Sequence, residues 1–251
     1  MDLHYEIYGA GDETIVLLHG GGTDMRTWQF ILPRLAANYR VIAFDGRGAG
    51  QSPAPVEPAN YVEDVKMVLD HFGLEKAILV GHSIGGQIAV DFDLTYPERV
   101  SKLVLIACSV TGFQNAPDIE ERFQRVLAAA PDVEKMTEFS LDLPSYDVVK
   151  ASPHHLELMT EMIRHNIQRW FDWKSGESVW PQPPAIERLD RLAAPTLFMI
   201  GTLDRPDLFP LAEQFGQLPN ARLVWIDGTD HMPMFTHPDE VSHTILQFLE
   251  E

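Results

Sequence analysis

Two rhythms of hydrophobic and polar positions alternate along the chain. Short aliphatic and β-branched runs, "LHYEIY" (3–8), "TIVLLH" (14–19), "RVIAF" (40–44), "AILVG" (77–81), "KLVLIA" (102–107), "TLFMI" (196–200) and "RLVWI" (222–226), read as strands. Between most of them lie segments of helical period, such as "YVEDVKMVLDHFG" and "SIGGQIAVDFDLTYP", the second closed by Pro97. Near-continuous apolar strands separated by helices predict an α/β fold with a mostly parallel sheet covered on both faces. One interval breaks this rhythm. Between Ala107 and Thr196 no strand pattern occurs, while "DIEERFQRVLAAA" and "HHLELMTEMIRHNIQRWFDW" place apolar residues at helical spacing. Residues 112–190 are therefore expected to form a helical insertion in a core made of residues 1–111 and 191–251, with the proline-rich "VWPQPPAIERL" leading back to the sheet.

Composition narrows the class. The 251 residues are 45% hydrophobic and 22% charged, as in a soluble globular protein of one elaborated domain or two. Asp and Glu number 37 against 19 Lys and Arg, and the net charge of −18 argues against nucleic acid and anionic membranes as partners. The single cysteine, Cys108, has no partner for an internal disulfide and follows "LVLIA", where a buried inert thiol is expected. No window approaches the ~18–20 apolar residues of a membrane helix, and no basic-then-apolar leader opens the chain, so a cytoplasmic protein is expected. His154 and His155 are adjacent and His165 has no spaced partner, so these histidines read as solvated helix surface and no metal site is expected.

The chemistry is concentrated in "ILVGHSIGGQIAV" (78–90), where a strand run gives way to a helical one across Gly-x-Ser-x-Gly. Such a junction makes a sharp, strained turn, with Gly81 and Gly85 removing side chains where strand and helix approach closely. Ser83 is thereby lifted above the carboxyl edge of the sheet, at a helix N-terminus whose free N–H groups favour an oxyanion.

At this point the chain resembles the α/β-hydrolase fold over nearly its whole length. "VLLHGGG" (16–22) looks like the family's His-Gly oxyanion loop, with Trp28 following, and "VIAFDGRGAGQS" (41–52) is similar to its Asp-x-x-Gly-x-Gly-x-Ser segment. "VGHSIGG" matches the nucleophile elbow, "PTLFMIGTLD" (195–204) the strand delivering the acid, and "GTDHMPMFTHPDEV" (228–241) the histidine loop and final helix. The chain starts at the strand the family numbers second, so the resemblance implies about seven strands, with the antiparallel first strand missing. "GHSIGG" with "DGRGAGQS" is most similar to the esterase, lactonase, C–C hydrolase and cofactor-free haloperoxidase group.

The family order of serine, acid, histidine places the base late in the chain, where His231, His237 and His243 stand. His231 follows the last strand in a loop above the same sheet edge as Ser83 and is chosen as base. His237 is expected before or at the start of the final helix and His243 within it. His82, next to the serine, is expected to point away, and His19 to be structural. For the acid, Asp204, Asp207 and Asp230 compete. The family pattern favours Asp204, Asp207 is expected to cap the helix of "LFPLAEQF", Asp230 adjoins His231 and diverges from it, and Asp45 is expected to be structural. The resemblance places oxyanion donors at Ile84 and Gly21, with Gly22 as the alternative. Gly22, Trp28, Trp170, Phe171 and Trp173 are the expected substrate contacts, and the insertion is expected to act as a lid. The resulting expectation is a serine hydrolase for small or medium carboxylic esters or lactones that needs no cofactor. C–C bond hydrolysis or peracid formation on the same residues is the enzymatic alternative, and a slow-turnover ligand receptor the alternative from another class.

Overall fold

The computed structural model describes the backbone of residues 1–251 and every side chain except that of Pro144. The seven apolar runs form seven strands of one sheet: β1 Tyr5–Tyr8, β2 Thr14–Leu18, β3 Arg40–Phe44, β4 Ala77–His82, β5 Val100–Ile106, β6 Thr196–Gly201 and β7 Ala221–Ile226, in the order β1-β3-β2-β4-β5-β6-β7. Six run parallel. The count is the expected seven, yet an antiparallel edge is present all the same, because β1 pairs with β3 in opposite sense, Tyr5 facing Phe44.

Ten α-helices accompany the sheet: α1 Leu32–Leu35, α2 Tyr61–His71, α3 Ile84–Thr95, α4 Pro117–Ala128, α5 Val133–Leu141, α6 Asp147–Lys150, α7 Pro153–Trp170, α8 Phe209–Gly216, α9 Pro233–Thr236 and α10 Pro238–Glu250. Strand side chains alternate between two cores. Val16, Leu18, Ile42, Phe44 and Leu79 pack with α2, α3 and α8 on one face, whereas Ile15, Leu17, Val41, Ala43, Ile78 and Val80 pack with α1 and α10 on the other. Both faces are dry, which is why the strand sequences read as unbroken apolar runs.

Helices α4–α7 all lie between β5 and β6, the interval with no strand pattern. Their buried residues Met136, Val149, Met159, Met162, Ile163 and Ile167 join the second core, so this helical layer packs onto the sheet domain. Its entry and exit are polar: buried Thr111 accepts from the Ala185 N–H at 2.7 Å and donates to Asp91 at 3.1 Å. Among the described residues, no helix is long and apolar enough to cross a membrane.

Candidate active site

Strand β4 ends at His82 and α3 begins at Ile84, leaving Ser83 between them at φ +53°, ψ −121°. A non-glycine residue rarely occupies this region, and the surroundings enforce it. The Ser83 N–H donates to Ile106 at 3.0 Å, and its carbonyl accepts from Gly86 and Gln87 at 3.0 and 3.1 Å. A Cβ at Gly81 would lie 2.5 Å from the Gly85 carbonyl oxygen, and one at Gly85 would lie 2.1 Å from that of Leu18. Only glycine permits these approaches.

The Ser83 hydroxyl lies 3.1 Å from His231 Nε2, and His231 Nδ1 lies 2.9 and 3.1 Å from the two carboxylate oxygens of Asp204. Asp204 stands just past β6 and its carboxylate also accepts the Arg205 N–H at 2.7 Å. Both side chains are buried. Hydroxyl, imidazole and carboxylate thus form one continuous hydrogen-bonded line, with Nδ1–H directed to the carboxylate and Nε2 free to accept the serine proton.

As the first residue of α3, Ile84 carries an N–H with no intrahelical acceptor. Gly21 stands beside it, since a side chain there would meet Ile84 Cγ2 at 3.8 Å. The glycine loop is braced by His19, whose Nε2 accepts the Gly46 N–H at 2.9 Å. Its Nδ1–H therefore donates to the Gly20 carbonyl, at 2.8 Å. A Cβ at Gly20 would fall 2.5 Å from His82 Nδ1, so loop and elbow touch only through glycine.

From Gly20, Gly21, Gly22 and Ile84 a cavity of about 310 Å³ extends toward Leu18, Phe44 and Val65 on the sheet side and toward Met136, Ile167, Trp170 and Trp173 on the helical layer. Ser83 and His231 are absent from its lining, so it adjoins the hydrogen-bonded line on the side of the candidate oxyanion donors. Its lining is mostly aliphatic and aromatic. The charged residues on it, Arg47 and Asp64, are paired at 2.8 Å, and Arg47 also binds Asp2 at 3.1 Å. Burial pushes the Asp64 carboxyl up, against the pull of Arg47.

Residues 15–244 match the sequence profile of the Alpha/beta hydrolase family. The chain belongs to the alpha/beta hydrolase family. It is 31% identical to a 2-hydroxy-6-oxononadienedioate/2-hydroxy-6-oxononatrienedioate hydrolase of Paraburkholderia phymatum, over 98% of this chain and 90% of that one. A pimeloyl-[acyl-carrier protein] methyl ester esterase of Pectobacterium carotovorum is 29% identical, over 99% and 98% of the two chains. Among solved structures, a hydrolase from Pseudomonas aeruginosa superposes with a TM-score of 0.81 at 26% identity, covering 99% of this chain and 94% of that one.

Several expected residues of this hydrolase stand elsewhere than their sequence positions implied. Trp28, expected at the substrate, is fully buried in the core, because Asp24 caps the short 3₁₀ turn Met25–Trp28 and turns the indole inward. Phe171 also leaves the cavity: it is 43% exposed and packs edge-on against Trp170 at 5.3 Å. Gly22, Trp170 and Trp173 do line the cavity, and Trp173 donates to the Gly48 carbonyl at 3.2 Å. Asp207 caps no helix end of its own. It pairs with Arg205 at 2.6 Å and accepts the Ala116 N–H at 3.0 Å, holding the entry to α4, and these bonds keep its carboxyl below the usual range despite burial. His165 is not a solvated surface group, for its Nε2 meets the Gly50 carbonyl at 3.0 Å. His237 precedes α10 and His243 lies within it, while Asp45 is structural, accepting from Met25 and Gln51 at 2.9 Å each.

Two residues near the line acquire contacts that sequence reasoning missed. His82 turns from the serine but toward the base: its Nε2–H donates to the His231 carbonyl at 2.9 Å. Burial, reinforced by the neighbouring His231, holds its imidazole well below the usual histidine range, so it is a neutral strut. Asn166, on α7, accepts the Gly50 N–H at 2.9 Å and reaches the Gly22 carbonyl at 3.5 Å, joining the helical layer to the glycine loop. Neither contact leaves a local sequence signal, because each spans more than a hundred residues.

Proposed function

We propose that this hydrolase cleaves a neutral carboxylic ester or lactone of small or medium size through an acyl-enzyme on Ser83. The observation that carries the reading is the unbroken Asp204–His231–Ser83 line beside an apolar cavity whose one guanidinium is already neutralised. Ser83 Oγ attacks the carbonyl carbon while His231 Nε2 takes its proton and returns it to the leaving alkoxide. Asp204 holds the imidazole and balances its charge, and the N–H groups of Ile84 and Gly21 receive the oxyanion. Water then repeats the cycle on the acyl-enzyme, and no step calls for a cofactor. The helical layer of residues 112–190 acts as the lid and, through Trp170 and Trp173, shapes the acyl or alcohol pocket.

Charge separates this reading from those suggested by the relatives. A dioate carries two carboxylates, for which the cavity lining offers only Arg47, already shared between Asp64 and Asp2. The lid has 8 Lys and Arg against 14 Asp and Glu, a poor surface for an anionic acyl carrier protein. C–C bond hydrolysis of a less charged oxo-dienoate on the same residues is the second reading, favoured by the identity to the Paraburkholderia enzyme. At about 310 Å³ the cavity stands at the lower end of small-molecule sites.

A panel of acetyl to octanoyl esters, lactones and a chromogenic oxo-dienoate, assayed with wild type and Ser83→Ala beside fluorophosphonate labelling, tests the proposal. Neutral esters or lactones should turn over, Ser83 should be labelled, and both should vanish in the variant. Labelling without turnover of any ester or lactone would refute it, and preference for the oxo-dienoate would move the assignment to C–C hydrolysis.

A further inference from the structure

Asp230, the residue before the base, is fully buried and points into the helical layer. Its Oδ2 accepts the N–H groups of Val148 and Val149 at 2.7 and 3.1 Å, and its Oδ1 accepts Met232 at 3.2 Å. Val148 and Val149 lie in the first turn of α6, where N–H groups have no intrahelical acceptor. One residue on, the His231 N–H donates to the Ser145 carbonyl at 3.0 Å. The backbone of the base is therefore held from two sides, its carbonyl by His82 of β4 and its N–H by residue 145 of the lid. The Tyr146 ring completes the contact, edge-on to the His231 ring at 6.1 Å.

The geometry points to Asp230 as a positioning residue that clamps lid segment 145–149 onto the histidine loop, so that His231 is in register with Ser83 only while that segment is seated. This rests on the serine-hydrolase reading above and adds a coupling to it: the lid acts on the base as well as on the substrate. The carboxylate suits the task because three N–H donors converge on it, a charge-assisted arrangement that a neutral amide cannot reproduce. An Asn side chain offers one acceptor oxygen, and its NH2 would face donors.

The test uses Asp230→Asn and Asp230→Ala in the full chain, with a minimal aryl acetate and fluorophosphonate labelling of Ser83. Displacement of a catalytic group by about 1 Å costs on the order of 100-fold, so kcat and the labelling rate should fall together by that order while KM moves by less than about threefold. A lid that merely binds substrate would instead raise KM and spare labelling. Amide hydrogen exchange at Val148, Val149 and His231 should accelerate in concert. Val148→Pro gives a second route that leaves the Asp230 charge in place: proline is accommodated in a first helical turn and removes the 2.7 Å bond but not the bond to Val149, so the same effects should follow to a smaller degree. Unchanged kcat and labelling with deprotected lid amides would overturn the coupling, and protected lid amides in both Asp230 variants would overturn the clamp. Either result with a labelled, active wild type sinks this inference alone, whereas a wild type that neither labels nor turns over sinks the hydrolase reading with it.

Discussion

Replacing Asp204 by Asn exchanges one carboxylate oxygen for an NH2 group and probes the electrostatics of the hydrogen-bonded line. The Arg205 N–H donates to Oδ1 at 2.7 Å, so the amide oxygen of the variant is fixed at that position and the NH2 takes the place of Oδ2. His231 Nδ1, 2.9 Å from Oδ1, can still donate its proton to that oxygen, so the tautomer needed for catalysis survives in competition with the inverted one. What the variant loses outright is the negative charge facing the imidazolium formed as Ser83 attacks. Two unit charges about 4 Å apart at an effective dielectric constant near 20 attract by about 4 kcal/mol, equivalent to about three decades of rate. We therefore expect kcat for an aryl acetate to fall about 1,000-fold with KM and thermal midpoint little changed. Asp207→Asn supplies the control. It weakens an ion pair with Arg205, keeps an oxygen to accept the Ala116 N–H and touches no part of the imidazole, and turnover should stay within about threefold. Steady-state kinetics with circular dichroism on both variants decides the matter. If Asp204→Asn kept more than about a tenth of wild-type kcat, or if Asp207→Asn were the more damaging, the assignment of the acid would be wrong.

Two further expectations can be checked with simple variants. Trp170→Ala and Trp173→Ala enlarge the cavity and should raise the ratio of kcat/KM for octanoyl over acetyl esters, whereas Phe171→Ala, off the cavity, should leave it unchanged; an equal response of all three would mean that lid packing, not pocket shape, sets preference. Burial holds the Asp91 carboxyl at about 6, above its value in an unfolded chain, so its contribution to stability is complete below about pH 4 and is lost as pH rises through 6. Asp91→Asn should accordingly gain stability relative to wild type between pH 4 and 7, by up to about 2 to 3 kcal/mol, and a pH-independent difference in urea unfolding would contradict this.

The sheet was legible because each strand is buried on both faces and so appears as an uninterrupted apolar run; Ser83 was picked out by the Gly-x-Ser-x-Gly turn, and Asp204 and His231, in loops past β6 and β7, by resemblance to the family's order of serine, acid and histidine. Helices α5 and α6 were harder to see. They are short, and the first N–H groups of α6 find their acceptor in Asp230, 81 and 82 residues away in the chain, which no local pattern records. The same limit explains Trp28 and Phe171: an aromatic residue looks identical in sequence whether a turn aims it into the core or into a cavity. Asp207 and His165 were misplaced for a related reason, since Ala116 and Gly50, their backbone partners, come from distant loops. His82 was expected to turn from the serine, and it does. Its partner, the His231 carbonyl, could be identified only once β4 and the histidine loop stood side by side.

The backbone at Ser83 also says something about heredity. At φ +53° this position suits glycine better than serine, and an L residue there costs on the order of 1 kcal/mol. Folding therefore gives natural selection no reason to keep a hydroxyl at the elbow; only turnover does. A descendant of this chain that kept the cavity for binding and abandoned catalysis would drift at residue 83 toward glycine, becoming sturdier as it lost its chemistry. On the proposed function, the hydroxyl at residue 83 is held by turnover against a mild thermodynamic slope.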